Sequence, residues 1–243
     1  MKYLATFSYD GSKYYGYQKQ KKQKSIQEEI ENKLSQINSN KEVTIYASGR
    51  TDAGVHANNQ KAHFILDDNI EVSRLKHSLN NMLSSYIYIK DIEKVDNEFH
   101  ARFSAKKKKY IYKINLGEYN PIMHDYIYQY CKKLNIEDMI KASKYLIGVH
   151  DFKSFTKAND LKDNYNREIF DINIINEEYL TIEFIGNGFM RYMVRNLVGS
   201  LIEVGEGNKK PNDIVKILNE KNRISAGKTA PAVGLYLDNV YYD

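Results

Sequence analysis

The chain has 243 residues, a formal net charge of +5 and a pI near 8.9, and its one cysteine, Cys131, has no internal disulfide partner. No stretch approaches the roughly 18 apolar residues of a membrane span, and no apolar leader opens the chain, so the expected setting is reducing, cytoplasmic and off the membrane. The charge is too modest to identify an anionic partner by itself, so its placement carries more information than its total.

Residues 2–9 (KYLATFSY) read as a strand closed by the turn signal Asp10-Gly11. A lysine-rich loop, residues 18–24, leads to Ser25, an N-cap with Glu28 three residues on. Ile26, Ile30, Leu34 and Ile37 then recur at helical spacing. Residues 42–48 and 61–66 read as strands, 72–83 as a helix with Leu75, Leu79, Met82 and Leu83 inward, and 86–92 as a strand. That order, β-α-β-β-α-β, is the ferredoxin-like unit.

The second half repeats the order without a sequence period. Strands are expected at 109–116, 167–175 and 180–185, with a helix over 136–147. The strongest apolar stripe in the chain, Met190, Met193, Val194, Leu197, Val198, Leu201 and Ile202, marks a helix over 190–202. A short helix follows Pro211, and 234–241 reads as a last strand. The expected fold is α+β: two ferredoxin-like lobes with antiparallel sheets, residues 1–104 and 105–243, and a cleft between them.

Chemistry concentrates in residues 48–57, Ser-Gly-Arg-Thr-Asp-Ala-Gly-Val-His-Ala. Glycines allow tight backbone and close approach of a ligand. A nearby guanidinium, here Arg50, favours the ionised form of a carboxylate, and an oriented Asp52 can then act as nucleophile or base. The competing reading is structural, with Asp52 closing an Asx turn and Arg50 pairing with it.

The whole string resembles the catalytic loop of the TruA family of tRNA pseudouridine synthases. The resemblance extends to Tyr9-Asp10-Gly11 with Tyr14, Gly16, Gln18 and Gln20, to residues 99–105 (FHARFSA) with Tyr110 and Tyr112, and to Gly148-Val149-His150-Asp151-Phe152 with Ser154-Phe155. It continues through Met193-Val194-Arg195-Asn196 with Gly199 and Ala226-Gly227-Lys228-Thr229-Ala230-Pro231 to Gly234-Leu235-Tyr236, in order over essentially the full length.

The resemblance implies an isomerase that converts uridine to pseudouridine at positions 38, 39 and 40 of the tRNA anticodon stem-loop, works as a homodimer and needs no cofactor or metal. It implies Asp52 as nucleophile, by attack on sugar or base or by proton abstraction. Arg50 would fill the space of the everted base or contact its phosphate, with a salt bridge orienting Asp52 as the plainer alternative. Tyr110 would stack on the target base, and Arg195 would form the ion pair with Asp52. On the expected helix Arg191 and Arg195 fall four apart, on one polar face. Lys19, Lys21, Lys22 and Lys24, with Lys107 and Lys109 from the second basic run, are the expected phosphate contacts, against solvated surface lysines as the plain reading. The chain departs from the family pattern at Arg191 and Tyr192, where many members carry tyrosine and histidine, and at His124 and Asp125 after Asn120-Pro121.

Other signals are weak. The six histidines show no zinc spacing, Gly205-x-Gly207 follows a helix rather than a strand, and no Gly-x-Ser-x-Gly occurs. Two further readings stay open: a non-catalytic RNA-binding protein of two RRM-like lobes, for which the usual aromatic signature is missing, and a paralogous synthase with other target uridines.

Overall fold

The computed structural model describes residues 1–157 and 163–243. The chain divides into two compact units, Met1–Lys106 with Tyr236–Asp243, and Lys107–Leu235.

In the first unit, β1 (Lys2–Tyr9) is followed by α1 (Ile26–Ile37), β2 (Tyr46–Ala47), β3 (His56–Ile65), α2 (Val72–Met82) and β4 (Ile87–Lys94). β1 lies antiparallel between β3 and β4, and β2 joins the far edge of β3 antiparallel. This is the expected split β-α-β topology. Alternation sets the faces: Tyr3, Ala5, Phe7 and Tyr9 are all buried along β1. Ser25 caps α1, its hydroxyl accepting from the Glu28 amide at 3.3 Å, and Ile26, Ile30 and Leu34 are buried beneath. On α2, Leu75 and Leu79 are buried and the helix packs on β4. The strand expected over 42–48 is only two residues long, and β3 starts five residues earlier than expected, so residues 48–55 form a loop between β2 and β3.

The second unit runs β5 (Lys107–Asn115), β6 (Tyr128–Gln129), α3 (Ile136–Lys144), β7 (Gly148–Asp151), β8 (Asn166–Asn176), β9 (Leu180–Gly186), α4 (Met193–Gly205) and α5 (Asp213–Glu220). Its antiparallel order is β5-β9-β8-β7, with β6 beside β5 in parallel. β7 was not anticipated, because a four-residue Gly-Val-His-Asp strand shows no readable alternation. α4 begins three residues later than the apolar stripe suggests. Tyr192 has φ 66° and ψ −2°, which breaks the helical path before Met193 and leaves Arg191 outside the helix. The expected shared helix face of Arg191 and Arg195 is therefore absent.

The last strand, β10 (Leu235–Tyr241), was expected to complete the second lobe. It groups instead with the first unit, where Tyr236 and Leu237 run parallel to His56 and Ala57 of β3. Side chains secure it there: the Asn58 Nδ2 donates to Asp238 Oδ1 at 2.9 Å, and the Tyr242 hydroxyl donates to the Ala101 carbonyl at 2.9 Å. Alternation identifies a strand but says nothing of its partner. No helix among the described residues is long and apolar enough to cross a membrane.

His63, on β3, stacks on Tyr46 at 5.1 Å and accepts the Ala101 amide at Nδ1. Burial, with the nearby His100 and Lys2 charges, lowers its pKa from 6.5 to about 4. The folded ring stays neutral where the unfolded one gains a proton, so its stabilisation is complete above pH 6.5 and is lost as pH falls toward about 4. Thermal melts between those pH values are expected to show a steeper fall for the parent than for His63→Gln. Parallel curves would remove His63 as the cause.

Candidate active site

The loop between β2 and β3 is fixed from below by buried polar side chains. Gln60 is fully buried. Its Nε2 donates to the Gly49 carbonyl at 2.9 Å, and its Oε1 accepts the Ser48 hydroxyl at 2.8 Å. The Ser48 amide donates to the Lys61 carbonyl at 2.8 Å, which starts the loop in register with β3. Three residues on, the Tyr9 hydroxyl meets Thr51 Oγ1 at 2.8 Å, and the Tyr17 amide donates to the Thr51 carbonyl at 3.1 Å. Burial pushes the Tyr9 phenol up to about 12, so it remains protonated and able to donate at any physiological pH.

Arg50 stands between these two clamps. It is exposed, and among the described residues it forms no ion pair, so the Arg50–Asp52 salt bridge left open by the sequence does not form. Asp52 follows, half-buried, and a main-chain turn closes behind it as the Val55 amide donates to the Asp52 carbonyl at 3.1 Å. Gly54 occupies the left-handed region at φ 78°, which a side chain would resist.

The loop is also held from the β1 side. A Cβ on Gly11 would lie 1.9 Å from the Val55 carbonyl oxygen, so only glycine fits there. The Gly11 amide donates to His56 Nδ1 at 3.1 Å. Asp10 Oδ1 approaches the same nitrogen at 3.3 Å. The His56 ring stacks on Tyr236 of β10 at 4.7 Å.

The second unit presents the other two expected residues. Tyr110 is almost fully buried on β5, and its ring meets Phe189 edge-to-face at 5.2 Å. Arg195 lies in the first turn of α4. Its Nε donates to the Ala230 carbonyl at 2.7 Å, and its own carbonyl accepts the Ala230 amide at 3.1 Å. Next to it, fully buried Asn196 uses its whole carboxamide. Nδ2 donates to the Phe155 and Thr156 carbonyls, and Oδ1 accepts from Thr229 at 2.7 Å and Arg223 at 2.9 Å.

A sequence model of the tRNA pseudouridine synthase family matches residues 5–104 and 142–243. Among curated proteins, the tRNA pseudouridine synthase A of Anoxybacillus flavithermus is 43% identical over 239 residues, covering 98% of this chain and 97% of that protein. The protein of the same name from a Geobacillus species is 42% identical over 98% of this chain and 97% of its own length. The one from Ehrlichia chaffeensis is 42% identical over the whole of both chains. This chain belongs to the tRNA pseudouridine synthase family. Membership sets aside the alternative of a non-catalytic pair of RRM-like lobes.

The basic residues of the synthase differ in how they are engaged. Lys19 lies 3.9 Å from Glu31, and Lys24 lies 3.3 Å from Glu29 with its ammonium 4.7 Å from the Tyr14 ring centroid. Lys109 pairs with Glu183 at 2.7 Å. Lys21 and Lys22 are exposed and have no carboxylate partner among the described residues, whereas Lys107 is exposed at the start of β5. Arg191 is exposed, its guanidinium carbon 5.4 Å from the Tyr192 ring centroid.

Sequence reading missed Gln60. Its signal was its phase: it shares a face of β3 with Ala62 and Phe64, both buried, where a glutamine must find partners. Gln60→Leu leaves the Gly49 carbonyl and Ser48 hydroxyl without that partner, at about 1–3 kcal/mol for each buried group left unsatisfied. The variant is expected to stay folded with a lower melting temperature and to lose about tenfold or more in kcat, because the loop then samples misplaced geometries. Parental kcat in a destabilised variant would show that the clamp serves stability alone.

Proposed function

We propose that this synthase isomerises uridine to pseudouridine at positions 38, 39 and 40 of the tRNA anticodon stem-loop, with Asp52 as the nucleophile. Family membership supports the reaction. The single structural observation that favours Asp52 is its place at the end of a segment clamped by Tyr9 and Gln60, half-buried and ahead of a tight turn.

The reaction is balanced within the substrate. The bond from uracil N1 to ribose C1′ breaks, the base turns, and a bond from C5 to C1′ forms. C5 gives up its hydrogen as a proton and N1 regains one. Asp52 serves this exchange by attacking the nucleoside and leaving again.

Eversion of a base costs a few kcal/mol, and an inserted side chain offsets part of that. Exposed Arg50, unpaired among the described residues, is suited to the task. Tyr110, supported by Phe189, offers a ring for the uracil, an interaction worth about 1–3 kcal/mol per base. Arg195 is the proposed ion-pair partner of the Asp52 carboxylate. Lys19, Lys21, Lys22, Lys24, Lys107, Lys109 and Arg191 supply phosphate contacts. For Lys19, Lys24 and Lys109 such contact competes with an existing carboxylate partner. The enzyme works in the cytoplasm and as a homodimer.

Modification mapping on an undermodified tRNA pool, wild type beside Asp52→Asn, tests reaction, position and residue together. The variant is expected to keep its fold and tRNA affinity and to form no pseudouridine. Appreciable turnover by it would remove Asp52 from the mechanism, and product confined to uridines outside the anticodon arm would favour a paralogue with other targets.

Sedimentation of the active enzyme is expected to give twice the 28.4 kDa chain mass. A stable species at the chain mass with full activity would exclude the dimer.

A further inference from the structure

Tyr192 sits at φ 66° and ψ −2° directly before α4. Residues with a Cβ resist the left-handed region, which glycine and asparagine enter most readily. Tyrosine gives the helix nothing at this position in return, since no side-chain hydrogen bond caps α4. Its hydroxyl meets no hydrogen-bond partner among the described residues. Neither local conformation nor capping accounts for a tyrosine here.

The ring face does. The guanidinium carbon of Arg195 lies 5.0 Å from the ring centroid and that of Arg191 lies 5.4 Å away, both within cation–π range. Arg195 is thereby held along two directions, its Nε edge by the Ala230 carbonyl at 2.7 Å and its plane by the tyrosine face. A flexible side chain so restrained presents its charge in one orientation, which is what electrostatic stabilisation of a reacting centre requires. The left-handed turn aims the ring at Arg195, so strain and contact have one explanation.

We propose that Tyr192 is a positioning residue that orients the Arg195 guanidinium for catalysis. The proposal rests on the reading of Arg195 as part of the active site.

Turnover of undermodified tRNA by Tyr192→Asn, Tyr192→Phe, Arg195→Lys and the double variant Tyr192→Asn/Arg195→Lys tests it. Asparagine accepts the left-handed turn and can cap α4, so Tyr192→Asn is expected to melt within about 2 °C of the parent or above it. Its kcat is expected to fall about tenfold or more with KM within about twofold. Tyr192→Phe keeps the ring face and is expected to recover kcat to within about twofold of the parent. The double variant is expected to be no slower than Arg195→Lys, because the ring then has no guanidinium at that position to orient. Parental kcat in Tyr192→Asn, a phenylalanine variant as slow as the asparagine one, or losses that multiply in the double variant would each overturn the proposal. If Arg195→Lys alone keeps parental kcat, the catalytic reading of Arg195 fails and takes the proposal with it. If only the Tyr192 variants are unaffected, that reading stands and the proposal falls. Should Tyr192→Asn melt well below the parent, Tyr192→Gly replaces it with the same expected outcomes.

Discussion

The first unit depends on a carboxamide that has no contact with water. Gln60 can be buried only if its oxygen and nitrogen find partners, and those partners, the Ser48 hydroxyl and the Gly49 carbonyl, belong to the loop that carries Asp52. An unmet buried amide costs more than a typical hydrogen bond contributes, so the glutamine penalises every conformation in which the loop lifts away. Tyr9 applies the same constraint at Thr51, one residue before the aspartate. Between the two anchors a glycine-bounded loop, flexible by composition, is held to one path. Arg50 is directed outward because both of its neighbours are tied down.

The second unit uses the same device. Asn196 follows Arg195 directly and saturates its carboxamide with two carbonyls of residues 155–156 and two donors from Arg223 and Thr229. The first turn of α4 is thereby locked to the segment that also supplies the Ala230 carbonyl for Arg195. Close backbone contact reinforces it: a Cβ on Gly199 would lie 1.7 Å from the Lys228 carbonyl oxygen. In both units the residue next to the proposed catalytic side chain, Thr51 before Asp52 and Asn196 after Arg195, is tied by side-chain hydrogen bonds.

Much of this was legible in the amino-acid order. The helices at 26–37 and 72–82, the β1 alternation and the stripe on α4 follow from periodicity, and the Ser25 cap from its spacing to Glu28. The loop with Asp52 and Arg50 stood out through its glycines. What stayed hidden depends on contacts between residues distant in sequence. The pairing of β10 with β3 is set by Asn58, Asp238 and the stacked His56 and Tyr236, none of which alters the local pattern of either strand. The late start of α4 is hidden because a left-handed tyrosine leaves the apolar spacing around it unchanged. The short β7 is a strand only because β8 lies beside it. The engagement of Lys109 with Glu183 requires knowing that β9 pairs with β5 in that register.

The chain leaves the first unit after Lys106 and re-enters it at Tyr236, so the second unit is an insertion within the first. A ribosome delivers the N-terminus first. The nascent first unit must therefore wait, with part of an edge of β3 unpaired, while the whole inserted unit is made. The edge that waits is at His56 and Ala57, immediately after the Asp52 loop. Whatever shape that loop takes during synthesis, the ring of Tyr236 can close over His56 only after the inserted unit has been made. The strand that covers this edge thus arrives only after an entire second unit has been synthesised and has had the chance to fold.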